Sequence, residues 1–174
     1  MRFKAAALCA LLGACGGGGT VADAGVDRVV IPSADIGAEL LELGTGQLAW
    51  EPLSPTGNRL ELIHGPQGGY HVFGRVRYRA LGPDIYLSFR VAPVGGGPAL
   101  NDPAARVRLR EGRGLVRVGA DQWETSGAQL VILEAIRGPE DVVGRTFRLE
   151  MTVQRFESAE TATAASEITI IDET

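Results

Sequence analysis

Residues 59–80, RLELIHGPQGGYHVFGRVRYRA, decide the fold that this sequence predicts. Side chains of alternating character flank the tetrapeptide Gly65-Pro66-Gln67-Gly68 on both sides. Proline fixes φ at the second position of a type I turn, and Gly68 is suited to the left-handed conformation of a G1 bulge. The segment therefore predicts a β-hairpin with a three-residue loop, in which Gly65 closes on Gly69.

This closure also fixes a register for the two strands. It places His64 opposite Tyr70, and then Leu62 opposite Val72 and Leu60 opposite Gly74. One face of the hairpin then carries Leu60, Leu62, Val72, Val76 and Tyr78, and the other carries Arg59, Glu61, Ile63, His71, Phe73, Arg75, Arg77 and Arg79. Because side chains alternate with period two, a slip of one residue would mix the apolar row with the charged row. The turn and the pattern thus favour the same register.

The amino-terminal residues predict a secretion signal. Arg2 and Lys4 form a basic start, and the apolar run from Ala5 to Ala14 is shorter than the ~20 residues that cross a bilayer core. Its end, Leu12-Gly13-Ala14-Cys15, resembles the bacterial lipobox. The resemblance implies cleavage before Cys15 and attachment of lipid to that cysteine. The alternative is an ordinary signal peptide with an incidental cysteine.

The expected organisation is a lipoprotein signal peptide at 1–14, a lipidated Cys15 with a flexible tether at 15–34, and a β-sandwich domain at 35–174. Gly16 to Gly19 suit a tether because glycine-rich chains are flexible. A neutral residue after the cysteine implies, by the same resemblance, the outer membrane of a Gram-negative bacterium. Cys9 leaves with the signal, so we expect neither a disulfide nor a cysteine-ligated metal in the mature chain.

The charge of the mature chain limits its partners. It has 15 arginines against 21 acidic residues, a net charge near −6, and the one lysine lies in the signal. Nucleic-acid binding needs a basic surface, so nucleic acid is not an expected partner. The expected partners are the membrane, through Cys15, and an envelope protein or polysaccharide.

The rest of the chain predicts further short strands and no long helix. Strand patterns cover residues 39–43, 47–51, 85–91, 106–110, 115–118, 129–134, 147–153 and 167–171, with a turn at Glu111 to Gly114. The first two segments are either two short strands or one bulged strand. QLVILE at 129–134 is apolar at nearly every position, which predicts burial on both faces. Seven to nine such strands favour an antiparallel β-sandwich.

Two resemblances to known proteins concern this domain. The stretch from Gly144-Arg145-Thr146-Phe147 to Ile168-Thr169-Ile170 resembles the closing hairpin of immunoglobulin-like domains in bacterial surface proteins, without the cysteines and core tryptophan of true immunoglobulin domains. The motif GPQGG with a following aromatic residue and histidine resembles uncharacterised bacterial lipoproteins. These likenesses imply an immunoglobulin-like sandwich and no particular activity.

The two histidines are the first candidate ligands. His64 and His71 flank the turn, and with Met151 they would suit a copper or zinc site of a periplasmic metal-handling protein. The predicted register opposes a shared site, because it puts His64 on the core-facing row and His71 on the other. The alternative has His64 capping the end of the core and His71 on the surface.

Two rows of arginines are the second candidate. Arg75, Arg77 and Arg79 share a face of one strand, and Arg106, Arg108 and Arg110 share a face of another. If the strands are neighbours, the rows would form a patch for phosphate or polysaccharide carboxylate, which guanidinium forks suit. The alternative is a solvated face neutralised by glutamates such as Glu61.

The remaining chemistry favours a non-enzymatic binding or structural module with no cofactor. Asn101-Asp102, with Asp84 and Asp121, lacks the spacing of a known calcium loop. No nucleophile motif accompanies the serines, threonines or histidines. A carboxylate pair for glycoside hydrolysis would be set by the fold and not by sequence spacing.

Overall fold

The computed structural model describes residues 40–66 and 68–172, so the predicted signal peptide, lipobox and tether lie outside the described residues. The fold is an all-β sandwich, as predicted, with eleven strands in the described residues in place of seven to nine. They are β1 Leu41–Thr45, β2 Glu51–Pro52, β3 Asn58–His64, β4 Tyr70–Arg79, β5 Asp84–Pro93, β6 Arg106–Glu111, β7 Gly114–Gly119, β8 Gln122–Thr125, β9 Gln129–Ile132, β10 Thr146–Arg155 and β11 Thr161–Asp172. A single 3₁₀ turn spans Pro139–Asp141 among these residues.

The predicted hairpin turn is confirmed. The backbone N–H of Gly65 donates to the carbonyl oxygen of Gly69 at 3.0 Å, and that of Gly68 donates back to Gly65 at 3.0 Å. Gly68 has a φ of +81°, the left-handed conformation that the loop requires. His64 lies opposite Tyr70, as the sequence predicted.

The predicted pairing beyond the turn is wrong, because β3 and β4 separate after two residue pairs. Leu62 and Leu60 are therefore not opposite Val72 and Gly74. Instead β3 runs parallel to β11, from Asn58 beside Ile168 to Leu62 beside Asp172. The two strands enter opposite layers of the sandwich, so both apolar rows still point into one core.

Strand β4 pairs with four strands, two along each edge. β1 lies against residues 75–78 of one edge and β3 against residues 70 and 71 of the same edge. β8 lies against residues 77–79 of the other edge, and β9 against residues 71–74. The backbone bonds agree with this assignment: Arg79 donates to Leu40 on the β1 side, and Tyr70 accepts from Leu133 on the β9 side.

The second layer continues from β3 through β11 and β10 to β5 and β6. The closing hairpin β10–β11 was predicted, and it pairs Phe147 with Ile168. β11 begins at Thr161 and not near Glu167 as predicted, because the small polar residues before Glu167 pair with β10. The sequence did not reveal β8.

The burial predicted for QLVILE is also wrong. Val131 and Leu133 are buried, but Leu130 is 58% exposed and Ile132 is 53% exposed. Strand β9 has the core on one face only, so its alternate side chains reach solvent. A continuous apolar run does not distinguish this arrangement from a strand covered on both faces.

The core fills the space between the two layers with the predicted inward rows. Leu60, Leu62, Val72 and Val76 are all buried in it. Tyr78 is also buried, which raises the pKa of its phenol, and its hydroxyl donates to the carbonyl oxygen of Gly82 at 2.8 Å. The Tyr78 hydroxyl can therefore be buried in the core because it has a hydrogen-bond acceptor.

We expect Gly68→Ala to lower the free energy of unfolding by about 1 kcal/mol, because a side chain resists positive φ. Space is not the reason, since a Cβ at Gly68 would touch nothing within 4 Å. Urea unfolding of the full-length protein measures the loss. Gly65→Ala is the matched control, because Gly65 does not have a positive φ. Equal losses in the two variants would show that the turn does not depend on the left-handed residue.

Candidate anion-binding site

The outer face of β5 and β6 carries a charge pair that orients the predicted arginine row. Arg108 donates from Nε to Asp84 Oδ1 at 3.0 Å and from Nη2 to Asp84 Oδ2 at 2.8 Å. This two-point hydrogen bond holds the pKa of Asp84 below its usual value and raises the pKa of Arg108. Asp84 is therefore ionised and fixes the plane of one guanidinium.

Two aromatic rings pack against the guanidinium groups of this arginine row. The guanidinium carbon of Arg108 lies 3.3 Å from the ring centre of Phe156, and that of Arg106 lies 4.4 Å from the ring centre of Tyr86. The two rings are 5.5 Å apart. Stacking on aromatic faces limits the motion of long arginine side chains. Arg106 and Arg108 are thus held at the surface in defined positions.

At the turn between β6 and β7, the side chains of Arg108, Arg110 and Arg113 line a cavity of about 250 Å³, which we call the arginine cup. Arg113 N–H donates to the Arg110 carbonyl at 2.8 Å, so the turn itself brings the last two together. In the part of the chain that the structure describes, Asp84 pairs with Arg108 and no acid forms an ion pair with Arg110 or Arg113. The cup therefore has three positive charges, with the Asp84 carboxylate in direct contact and Glu157 near enough to help raise the pKa of Arg108.

The other arginine row is separate from the cup, because β4 and β6 are not neighbouring strands. Arg75 and Arg77 both bind Glu124 on β8, with Nη2 to carboxylate oxygen distances of 2.8 and 2.7 Å. Arg77 also lies 3.5 Å from a carboxylate oxygen of Glu42 and over the ring of Trp50. The neutralising acids are therefore Glu124 and Glu42, and not Glu61 as suggested from the sequence.

Arg75 is buried and not solvated, with 4% of its surface exposed. Its Nη2 also donates to the carbonyl oxygen of Thr125, where β8 ends and the chain bulges before β9 begins. The guanidinium thus satisfies a carbonyl that the interrupted pairing leaves available. We assign Arg75 and Glu124 to the architecture of this sheet and not to ligand binding.

The structure does not bring the two histidines together. His64 and His71 occupy adjacent rungs of the hairpin, so their side chains leave opposite faces, as predicted. His64 is exposed and stacks on Tyr70 with ring centres 4.9 Å apart, so it does not cap the core. His71 contacts Phe73 edge-on, and Met151 is fully enclosed in the core.

Metal-binding clusters are likewise absent from the described ranges, in which no three His, Cys, Asp or Glu residues are grouped to hold an ion. Asn101 uses its side chain to fasten the long loop: it accepts from Val91 N–H at 2.8 Å and donates to the Phe89 carbonyl at 2.8 Å. Asp102 accepts from Ala104 N–H at 2.9 Å. The Asn101-Asp102 pair therefore has a role in the conformation of the loop.

Comparison with known proteins adds little to this geometry. No protein-family profile matches the sequence, and no curated protein does. Among solved structures, the chain is similar to the CooA pilin subunit from enterotoxigenic Escherichia coli, with 9% identity and a TM-score of 0.38, over 78% of this chain and 99% of the pilin. Within the described residues, no helix is long and apolar enough to cross a membrane.

We expect Glu124→Gln to lower the free energy of unfolding by about 3 kcal/mol, because it leaves the buried Arg75 charge without its counter-charge. Thermal and urea unfolding of the full-length protein measure this loss. Glu42→Gln is the matched control: Glu42 is half exposed and its pair is longer, so its loss should stay within about 0.5 kcal/mol. Similar losses for both variants would contradict the structural role given to the Arg75–Glu124 pair.

Proposed function

We propose that the chain is a lipid-anchored, non-enzymatic binding module of the bacterial envelope, and that it binds an oxyanion in the arginine cup. The observation that carries this proposal is the convergence of Arg108, Arg110 and Arg113 on one cavity, where Asp84 is the one acid within ion-pair distance of any of the three in the described residues. Like charges that converge in this way repel one another unless an anion lies between them. An oxyanion ligand would relieve that repulsion.

The chemistry of the cup favours carboxylate or phosphate groups carried by an envelope polysaccharide. Guanidinium groups present planar pairs of donors that match the two oxygens of such groups. The cup lies among exposed residues of β6 and the following turn, so it would take a charged group projecting from a larger molecule. A polymer with repeated charges would gain from each additional contact along its length.

The anchor rests on the lipobox resemblance at Leu12 to Cys15 and on the glycine tether that follows. A short tether would hold the sandwich near the outer membrane, where acidic polysaccharides are within reach. A binding module needs this placement and no catalytic group. The absence of a nucleophile motif in the sequence agrees with such a role.

We expect the double variant Arg110→Gln/Arg113→Gln to bind a polyuronate, such as polygalacturonate, at least tenfold more weakly than the unmodified full-length protein. The two substitutions remove the charges that would face the ligand, while Arg108 keeps its ion pair with Asp84. Isothermal titration calorimetry at two salt concentrations measures the affinity. A parallel titration with inorganic phosphate distinguishes a phosphate ligand from a carboxylate ligand.

The matched control is Arg79→Gln/Arg145→Gln, which removes two exposed arginines outside the cup and changes the net charge equally. We expect its affinity to stay within about twofold of the unmodified protein, since screened distant charges contribute little. Equal weakening in both double variants would indicate unspecific attraction. Failure of the unmodified protein to bind either probe would refute the proposed site.

For the anchor, we expect Cys15→Ser to abolish incorporation of labelled fatty acid and partitioning into the detergent phase. The reason is that the thiol of Cys15 is the proposed attachment point for lipid. Metabolic labelling and detergent phase separation of the expressed full-length chain measure both effects. Cys9→Ser is the control and should keep both, because Cys9 would leave with the signal peptide. Unchanged partitioning of Cys15→Ser would refute the anchor.

A further inference from the structure

A cleft of about 360 Å³ lies where the pairing between β3 and β4 ends, two residue pairs from the hairpin turn. Its walls come from the turn after β1, from the start of β2, from β3, and from single residues of β4 and β11. Phe73, Ile63 and Ile171 line it with apolar surface, and Leu60, whose side chain is buried in the core, borders it. The cleft is independent of the arginine cup, with which it shares no residue.

The polar lining of the cleft contains hydrogen-bond donors and acceptors, and it includes both positively and negatively charged side chains. Arg59 and Glu61 come from β3, Glu51 comes from β2, and Gln47 and Thr45 come from the end of β1 and its turn. In the described residues, none of these three charged side chains forms an ion pair, although all three line one cavity. Their hydrogen-bonding groups remain available to a ligand.

Two local constraints fix the conformation of the wall. Thr45 Oγ1 donates to the Phe73 carbonyl at 2.9 Å, which ties the end of β1 to β4 across the gap that β3 leaves. Gly46 has a φ of +93°, and a Cβ there would collide with the Ala49 carbonyl oxygen, so the turn that carries Gln47 requires glycine. The adjacent Leu48 is 96% exposed, an apolar side chain left in solvent beside the cleft.

The mixture of groups limits the chemistry of a ligand. A polyanion would meet Glu51 and Glu61, a simple cation would meet Arg59, and an apolar ligand would leave four or five polar groups without partners. A sugar ring avoids these costs, because its hydroxyls both donate and accept while its C–H face packs on aromatic and aliphatic side chains. The volume also lies within the usual range for small-ligand sites, ~300–1,000 Å³.

We propose that this cleft binds a neutral saccharide of one or two rings, with Phe73 as the platform and Arg59 and Glu61 as hydrogen-bonding partners. It would be a second recognition site, separate from the oxyanion site and independent of the lipid anchor. Glu51 and Glu61 are both exposed, unlike the enclosed catalytic acid of a glycoside hydrolase. Recognition without cleavage is the role that the cleft supports.

The test titrates the full-length, detergent-solubilised protein with three neutral disaccharides: cellobiose, maltose and N,N′-diacetylchitobiose. Calorimetry measures affinity, and backbone amide chemical shifts locate the site. We expect at least one disaccharide to shift the amides of β3 and of the Gly46 turn. Glu61→Gln and Phe73→Leu should each weaken that binding by about tenfold, through a lost charge-assisted hydrogen bond and a lost ring contact respectively.

Glu134→Gln is the matched control, since Glu134 is exposed and does not line the cleft, and its affinity should be unchanged. The Arg110→Gln/Arg113→Gln variant should also bind the disaccharide normally, so failure of the oxyanion site and failure of this site are distinguishable. The proposal is overturned if no disaccharide shifts the cleft amides. It is equally overturned if glucuronate binds there as tightly as the neutral sugars, because the two carboxylates should oppose it.

Discussion

Both hydrogen-bonding edges of β4 have to be satisfied along ten residues, and this requirement organises the sandwich. No single neighbour does so. Each edge is shared by two short strands, β1 and β3 on one side and β8 and β9 on the other. Each edge therefore has a joint where one neighbour ends and the next begins. The distinctive features of the molecule lie at these joints.

At the two joints, different side chains satisfy the backbone groups that lack a strand partner. On the β8–β9 edge the chain bulges, and the guanidinium of Arg75 takes the carbonyl of Thr125 while Glu124 balances its charge. On the β1–β3 edge a hydroxyl, that of Thr45, reaches the Phe73 carbonyl, and the strand that leaves creates an open cleft. The first joint is closed and buried, which suits stability. The second is open and polar, which suits recognition.

The sequence predicted the features that depend on local chemistry. The turn at Gly65 to Gly69 and the inward row of Leu60, Leu62, Val72, Val76 and Tyr78 follow from φ preferences and period-two alternation. It did not predict that β3 leaves β4 for β11, because that partner lies about a hundred residues away and no local pattern encodes it. Arg113 was missed for a smaller reason: the sequence predicted a turn at Glu111 to Gly114, but it did not show that Arg113 N–H closes on the Arg110 carbonyl.

The net charge of the full sequence is −4, and it would be near −6 after the proposed cleavage, so the arginine cup attracts anions locally against an acidic surface. Repulsion from the rest of the surface acts over distance and is screened beyond ~8 Å at physiological ionic strength. Contacts between guanidinium and oxyanion act at hydrogen-bond distance, where screening is weak. Salt therefore weakens both the repulsion between an anion and the acidic surface and part of the attraction within the cup. In a uniformly basic protein, salt weakens the attraction alone. An acidic domain with one basic cup would thus discriminate by fit within the cup, because an anion that does not reach Arg110 and Arg113 meets mainly repulsion.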